Sequence, residues 1–370
     1  MRRPSLRMVA IIVGATFAVL GAGAFLVAAS GIYNVAASRP HFEITRVLLQ
    51  FGLERSVATH SWLESSSKPA LDDPDLIRLG AGHFVRGCAF CHGAPGEPRN
   101  LAAEHMQPTP PALSLAVTEW SNEELFWIVK HGLKYTGMPG WPSIERDDEV
   151  WAVVAFLRQL PNMSPAQYRE LANGSAHTSD DEPIAECTRC HGGENAAPTS
   201  RLVPKLAGQS AAYLLHALED YARDRRPSGI MQLLAVPLAA KDRQALAAYY
   251  ANLKPQASQQ KAADAARIER GRRIATEGIR EETIPPCLAC HSGRAAETFP
   301  RLSGQHAPYL AQQLRLFKEG LRAETPQGAI MTAIATRLDE AQISDVAAYF
   351  ESRDPAEDAR DTTPVQGAAQ

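Results

Sequence analysis

Residues 87–93 read GCAFCHG: two cysteines three positions apart, with a histidine directly after the second. The chain repeats this grouping as CTRCH at 187–191 and CLACH at 287–291, and the three groups use all six of its cysteines. A Cys-x-x-Cys pair by itself fits zinc, thiol redox chemistry or covalent haem. The adjoining histidine separates them. Covalent haem c needs two thiols one turn of backbone apart to reach two vinyl groups, and an imidazole immediately after them to meet the iron from the same side. A tetrahedral zinc site needs a second pair of cysteines or histidines close by, and each group stands alone in its ~90 residues. A redox dithiol sits at the head of a helix in a βαβ setting, and no such strand pattern is present. The reading is therefore three covalently bound haem c groups, attached through Cys88 and Cys91, Cys187 and Cys190, and Cys287 and Cys290. His92, His191 and His291 each supply one axial ligand to iron.

The groups begin at 88, 187 and 287, a spacing that marks an internal repeat. Other segments recur 96 and 100 positions apart. GQSAAYLLHALEDY (208–221) answers GQHAPYLAQQLRLF (304–317), and ALAAYYANL (245–253) answers DVAAYFESR (345–353). The first copy is more distant: AVVAFLRQL (152–160) matches the last helix, and SNEELFWIVKHGL (121–133) supplies a middle helix. Ser121 and Glu124 form a capping box there, with Leu125, Ile128 and Val129 on one face. No segment sustains period-two alternation, so the fold class is all-α. The expected organisation is a cytoplasmic N-terminus and transmembrane anchor (1–38), an amphipathic helix and linker (39–75) and three haem domains (76–162, 175–257, 262–355). A tail (356–370) has the composition of a disordered segment.

The second axial ligand decides what each iron can do. A thioether stabilises ferrous iron and raises the potential, whereas an empty position admits a small molecule. Met138 lies 46 residues after His92, and Met231 and Met331 each lie 40 residues after His191 and His291. Each is expected in a Gly-containing loop between the middle and last helices. A lone methionine is ordinarily core filler, but three of the chain's seven recur at the equivalent place. They are read as the distal ligands. Met106, only 14 residues after His92, is the rival to Met138; Trp141 is read as aromatic packing near the first centre and His131 as an exposed or packing histidine.

Ahead of the repeats, Arg2, Arg3 and Arg7 precede an uncharged run from Met8 to Ser30, long enough at ~1.5 Å per residue to span a ~30 Å hydrocarbon core. Its length favours an uncleaved anchor over a cleaved signal peptide ending at VAAS (35–38), and the arginines place everything after Ser30 outside the cytoplasm. Ile44, Val47, Leu48 and Phe51 then form an apolar stripe suited to a membrane surface, a partner helix or the protein's own core. A net charge of -3 leaves no polybasic footprint for nucleic acid.

These residues together resemble the class I bacterial cytochromes c over roughly 76–355. The last two domains are similar to the tandem dihaem family often called cytochrome c-four, with CxxCH, GQxAxYL and a methionine segment in each copy. The first resembles monohaem class I domains that carry TGMP before their last helix. The resemblance implies small helical domains wrapped around haem, in the periplasm of a bacterium or on its inner membrane, passing single electrons. Such domains open with a helix bearing Gly and an aromatic, as Gly80 and Phe84 do; AHTSDDEPIAEC (176–187) offers neither, and Gly271 stands far ahead of Cys287. The first helices of the second and third domains are thus expected to be short or displaced.

Three functions fit in descending order. The first is a membrane-anchored relay between a quinol-oxidising complex or dehydrogenase and a terminal oxidase or soluble cytochrome, with redox proteins as partners and no small-molecule substrate. The second is the haem subunit of a stable alcohol or sugar dehydrogenase complex. The last is a haem enzyme such as a peroxidase, or a gas sensor, which requires an open iron position.

Overall fold

The computed structural model describes residues 5–36, 38–64, 67–173, 182–256, 264–292 and 296–356. Among these there are helices and turns but no strand; the only β pairs are the isolated bridges Ala94↔Glu97, Gly193↔Ala196 and Ile279↔Ile284. The all-α class holds. The tail at 357–370 and much of the segment joining the first and second repeats (174–181) lie outside the described residues.

Helix α1 (Leu6–Ser30) is capped by Ser5, whose hydroxyl accepts from Met8 N, and stops at Gly31 in the left-handed region (φ 67°). It buries nothing, and its most apolar window has a mean hydropathy of 2.3, so it is long and apolar enough to cross a membrane. Helix α2 (Glu43–Leu63) carries the second apolar stripe. Its far end docks on the first repeat through Val57 and Ser61, while Ile44, Val47, Leu48 and Phe51 stay exposed.

The first repeat comprises α3 (Pro74–Gly87), the single turns α4 (Ala89–His92), α5 (Leu101–Glu104) and α6 (Leu113–Ala116), then α7 (Asn122–His131), α8 (Asp147–Leu157) and α9 (Pro165–Asn173). Asp73 caps α3 and Pro74 takes its first position. The Ser121–Glu124 capping box on α7 forms in both directions, and Leu125, Ile128 and Val129 are buried. Gly80 lets α3 cross α8 in contact: a Cβ there would overlap the carbonyl oxygen of Ala152. The core packs Phe84 tilted against Phe156 (centroids 5.0 Å apart) and stacks Phe126 on Trp151 (4.5 Å). Helix α9 joins the same core through Tyr168 and Ala172.

The second repeat comprises α10 (Glu182–His191), α11 (Ala211–Ala222), α12 (Met231–Ala235) and α13 (Ala240–Asn252); the third, α14 (Ala265–Glu277), α15 (Leu288–His291), α16 (Ala307–Lys318), α17 (Pro326–Ala335) and α18 (Glu340–Ser352). Gly271 plays the part of Gly80, meeting the backbone of Asp345 on α18. It stands far from Cys287 because a loop holding the Ile279–Ile284 bridge intervenes. In the second repeat α10 runs straight through the cysteine motif. The face of α13 that α14 covers in the third repeat is left open there: Ala245 and Ala248 are exposed where Asp345 and Ala348 are buried.

The second and third repeats clasp each other about a pseudo-twofold axis. Gln209 exchanges hydrogen bonds with the backbone N and O of Arg301 (both 2.9 Å), and Gln305 does the same with Lys205 (both 3.0 Å). The side chains of Lys205 and Arg301 reciprocate onto the carbonyls of Gly304 and Gly208 (2.7 and 2.8 Å). Self-complementary pairing of this kind is what two copies of one surface give. Glu351 completes the joint through Arg201, which donates to both of its oxygens at 2.9 Å. Burial alone pushes Glu351 up, but His306 close by and the Arg201 fork outweigh it and hold the carboxyl at about 2. A depressed folded pKa contributes stability that is present above the ordinary value of 4.5 and is lost as pH falls toward 2. The resistance of the second and third repeats to denaturant is expected to fall on acidification through that window, and Glu351→Gln to flatten the dependence.

Candidate haem clefts

Each cysteine pair is one helical turn wide. Cys91 N and His92 N both donate to Cys88 O (3.1 and 3.0 Å), Cys290 N and His291 N donate to Cys287 O (3.2 and 3.0 Å), and Cys187, Cys190 and His191 lie inside α10. None of the six is in a disulfide. Burial pushes the Cys88 thiol up to about 12 and those of Cys187 and Cys287 to about 11. No cluster of three or more His, Cys, Asp or Glu that could hold a metal ion occurs among the described residues.

The three histidines share an arrangement that the sequence reading missed. Nδ1 of His92 donates to Pro111 O at 2.9 Å, Nδ1 of His191 to Pro204 O at 3.0 Å, and Nδ1 of His291 to Pro300 O at 2.9 Å. A carbonyl only accepts, so Nδ1 carries the proton and Nε2 keeps its lone pair, the tautomer a metal ligand needs. Burial lowers all three imidazoles, which keeps them neutral. The prolines follow their histidines by 19, 13 and 9 residues, an uneven spacing that hides them. The available signal was the shared P-[KR]-L-x-G-Q at 204–209 and 300–305.

Met231 and Met331 line one continuous cavity of ≈ 1440 Å³ with His191, His291, Cys187, Cys190 and Cys287. Neither sits in a loop, as the sequence suggested. Met231 opens α12, and Met331 lies within α17, which Thr325 caps and Pro326 starts. Met138 does lie in a loop, half-buried, with its N–H on Thr136 Oγ1 (3.1 Å) and its carbonyl accepting from Leu133 N (3.1 Å). The Met106 methyl comes to the same loop, where a Cβ on Gly137 would collide with it. His131 turns away, its Nε2 on Glu64 Oε2 at 2.8 Å, tying α7 to α2.

The fit of the large cavity to haem can be tested on its charges. Arg226 donates to the hydroxyls of Tyr309 (3.1 Å) and Tyr213 (3.4 Å) and to Gln313 Oε1 (3.2 Å), and Arg322 donates to the same Gln313 oxygen at 2.6 Å. Both guanidiniums line the cavity, and no carboxylate of the described residues pairs with either. Nε of Arg322 is buried without a partner. Burial, with Arg226 beside it, lowers Arg322 to about 10. Two buried cations so placed call for anions, and a haem carries two propionates. The residues fit the group.

Helical repeats of this kind, each presenting a thiol pair and an imidazole with a free Nε2, define a class of covalent haem carriers, and comparison with known proteins agrees. The family described as "Cytochrome C oxidase, cbb3-type, subunit III" matches residues 75–157, and the family described as "Cytochrome c" matches residues 268–354. A thiosulfate dehydrogenase electron acceptor of Thiomonas intermedia is 36% identical over 45% of this chain and 77% of its own length. Cytochrome c4 of Azotobacter vinelandii is 33% identical over 48% of this chain and 91% of its own. The solved cytochrome c4 of Acidithiobacillus ferrooxidans is 36% identical over 45% of this chain and 97% of its own, with a TM-score of 0.41. The chain belongs to the c-type cytochromes, with C-terminal domains of the dihaem cytochrome c4 family. It is an electron-transfer protein whose domains bind haem c covalently.

Proposed function

We propose that the chain is a membrane-tethered relay carrying three haem c groups. In this reading Cys88 and Cys91, Cys187 and Cys190, and Cys287 and Cys290 form the thioether bonds. His92 with Met138, His191 with Met231, and His291 with Met331 close each iron on both sides. The bound haem supplies a one-electron couple. The protein's residues keep that couple's reorganisation small: the proline carbonyls fix each imidazole, helix and loop backbone fixes each methionine, and Arg226 and Arg322 neutralise propionates away from water. Helix α1 anchors the chain in the inner membrane and the repeats stand in the periplasm. The observation that carries the reading is the threefold pairing of a CxxCH histidine with a proline carbonyl at 2.9–3.0 Å.

Electrons enter from a quinol-oxidising complex or a periplasmic dehydrogenase and leave to an oxidase or soluble cytochrome. The relative from Thiomonas intermedia, by its name the electron acceptor of a thiosulfate dehydrogenase, favours a dehydrogenase on the donor side. It also supports a second reading, in which this chain is the haem subunit of a lasting dehydrogenase complex. Mild detergent extraction separates the two. A relay elutes as a single chain that is reduced and reoxidised by added membranes; a subunit elutes with a catalytic chain in fixed ratio, and that result removes the free-relay reading.

A further inference from the structure

The first repeat meets the second at two places in the latter's candidate haem site, the segment before its methionine and one of its cysteines. Trp141 follows Met138 by three residues, and Gly229 precedes Met231 by two. The indole of Trp141 lies directly on Gly229, so that a Cβ at that glycine would overlap Nε1. Glu149, from the first turn of α8 and 4% exposed, ties the two segments together. Its carboxylate accepts from Trp141 Nε1 (3.0 Å), Gly229 N (2.6 Å) and Ser228 Oγ (2.6 Å), and Ser228 Oγ in turn accepts from Met231 N at 3.2 Å. Arg146 balances the charge, 3.0 Å from Glu149 Oε1, and donates to Pro227 O at 2.6 Å. A buried carboxylate of the first repeat thus holds the segment that positions the second repeat's methionine.

The second meeting place is on α3. Gly82 faces Cys190, where a Cβ would stand 3.5 Å from Sγ, and Arg86 pairs with Glu186 on α10. Cys88 follows Gly82 by six residues, about 9 Å along the helix at ~1.5 Å per residue. One short helical segment and the close approach of Gly82 to Cys190 therefore lie between the cysteines of the first repeat and those of the second.

We propose that this joint is the crossing at which electrons pass between the first and second centres, with Trp141 as the bridging group and Glu149 as the positioning residue that holds the Met231 segment against it. The proposal rests on the relay reading and extends it by making the first and second centres direct neighbours in the path. The step moves one electron from the ferrous iron of the first repeat's haem c to the ferric iron of the second repeat's. The first is oxidised as the second is reduced, and no bond or proton is transferred. Trp141 suits the task because its ring touches both methionine segments and its N–H is fixed, so the contact is not remade at each transfer.

The test uses the full-length haem-loaded chain and the variants Gly229→Ala, which pushes the indole off its seat, and Trp141→Phe, which keeps a ring but drops the hydrogen bond to Glu149. Flash photoreduction followed by redistribution among the haems reads the transfer directly. Amide exchange at residues 228–231 reads the clamp without reference to electron flow. Gly229→Ala is expected to slow redistribution from the first to the second centre by about tenfold or more, with the absorption of all three haems preserved. Trp141→Phe is expected to raise exchange at Gly229 and Met231 and to slow transfer less. Redistribution at the parent rate in both variants overturns the proposal and leaves the relay standing. A parent chain that shows no redistribution at all overturns the relay reading with it.

Discussion

Met231→Ala is expected to open one iron of the three. The parent, once reduced, binds no carbon monoxide; the variant binds one per chain, and the potential of that centre falls by on the order of 100 mV as the thioether that favours ferrous iron is lost. The expectation follows from how firmly the residue is held. Its N–H is fixed on Ser228 Oγ at 3.2 Å, its side chain lines the cavity that also holds His191, and the other methionine lining that cavity, Met331, is assigned to the third iron. In the first repeat Met106 and Met138 reach the same loop, so the paired variants test which of them is the ligand. There Met138→Ala is expected to open the iron and Met106→Ala to leave it closed. A carbon monoxide complex in the unaltered protein, or none in Met231→Ala, removes the His/Met assignment for that centre.

The second large effect is expected at Arg226. Replacing it by Leu leaves a propionate buried without its cation, and truncating one partner of a buried charge pair costs ~3–5 kcal/mol. The loss reads out as a lower denaturant midpoint for the unit formed by the second and third repeats, which share the cavity. The potentials move as well. Taking a positive charge from beside the haems favours the more positive ferric state, so both potentials fall, by several tens of millivolts at an effective dielectric of ~20. Arg226→Lys keeps the charge but not the fork that reaches Tyr213, Tyr309 and Gln313 together. It is expected to restore most of the potential and only part of the stability. A Leu variant with unchanged midpoint and unchanged potentials removes the two arginines as the anion site.

Much of this architecture was legible because it repeats or is local. The three CxxCH groups and the roughly hundred-residue displacement pointed to helical cytochrome c domains, the kind that the family matches show. Ser121 and Glu124, three residues apart, announced a helix start that the structure forms as a capping box. The uncharged run after Arg7 announced α1. What escaped is non-local or occurs once. The proline carbonyls are backbone groups, so side-chain chemistry gives no hint of them, and their distances from the histidines vary. Gln209 and Gln305 stood out as repeated letters, but their work is to bind the opposite repeat's backbone 92 to 100 residues away. Glu149 and Ser228 lie 79 residues apart, and nothing local marks them as partners. The placement of Met231 and Met331 went wrong for a different reason. The glycine before each was read as loop, whereas Thr325 and Pro326 start α17 ahead of Gly328 and Met331, and Gly229 serves close contact with Trp141.

The central claim is that three irons are each closed by one imidazole and one thioether. Near-infrared magnetic circular dichroism of the oxidised full-length chain, scaled to haem per polypeptide, tests it most directly. The account predicts three low-spin His/Met signals of equal weight. Two such signals, or a third centre with the signature of two histidines or of an open iron, contradict it.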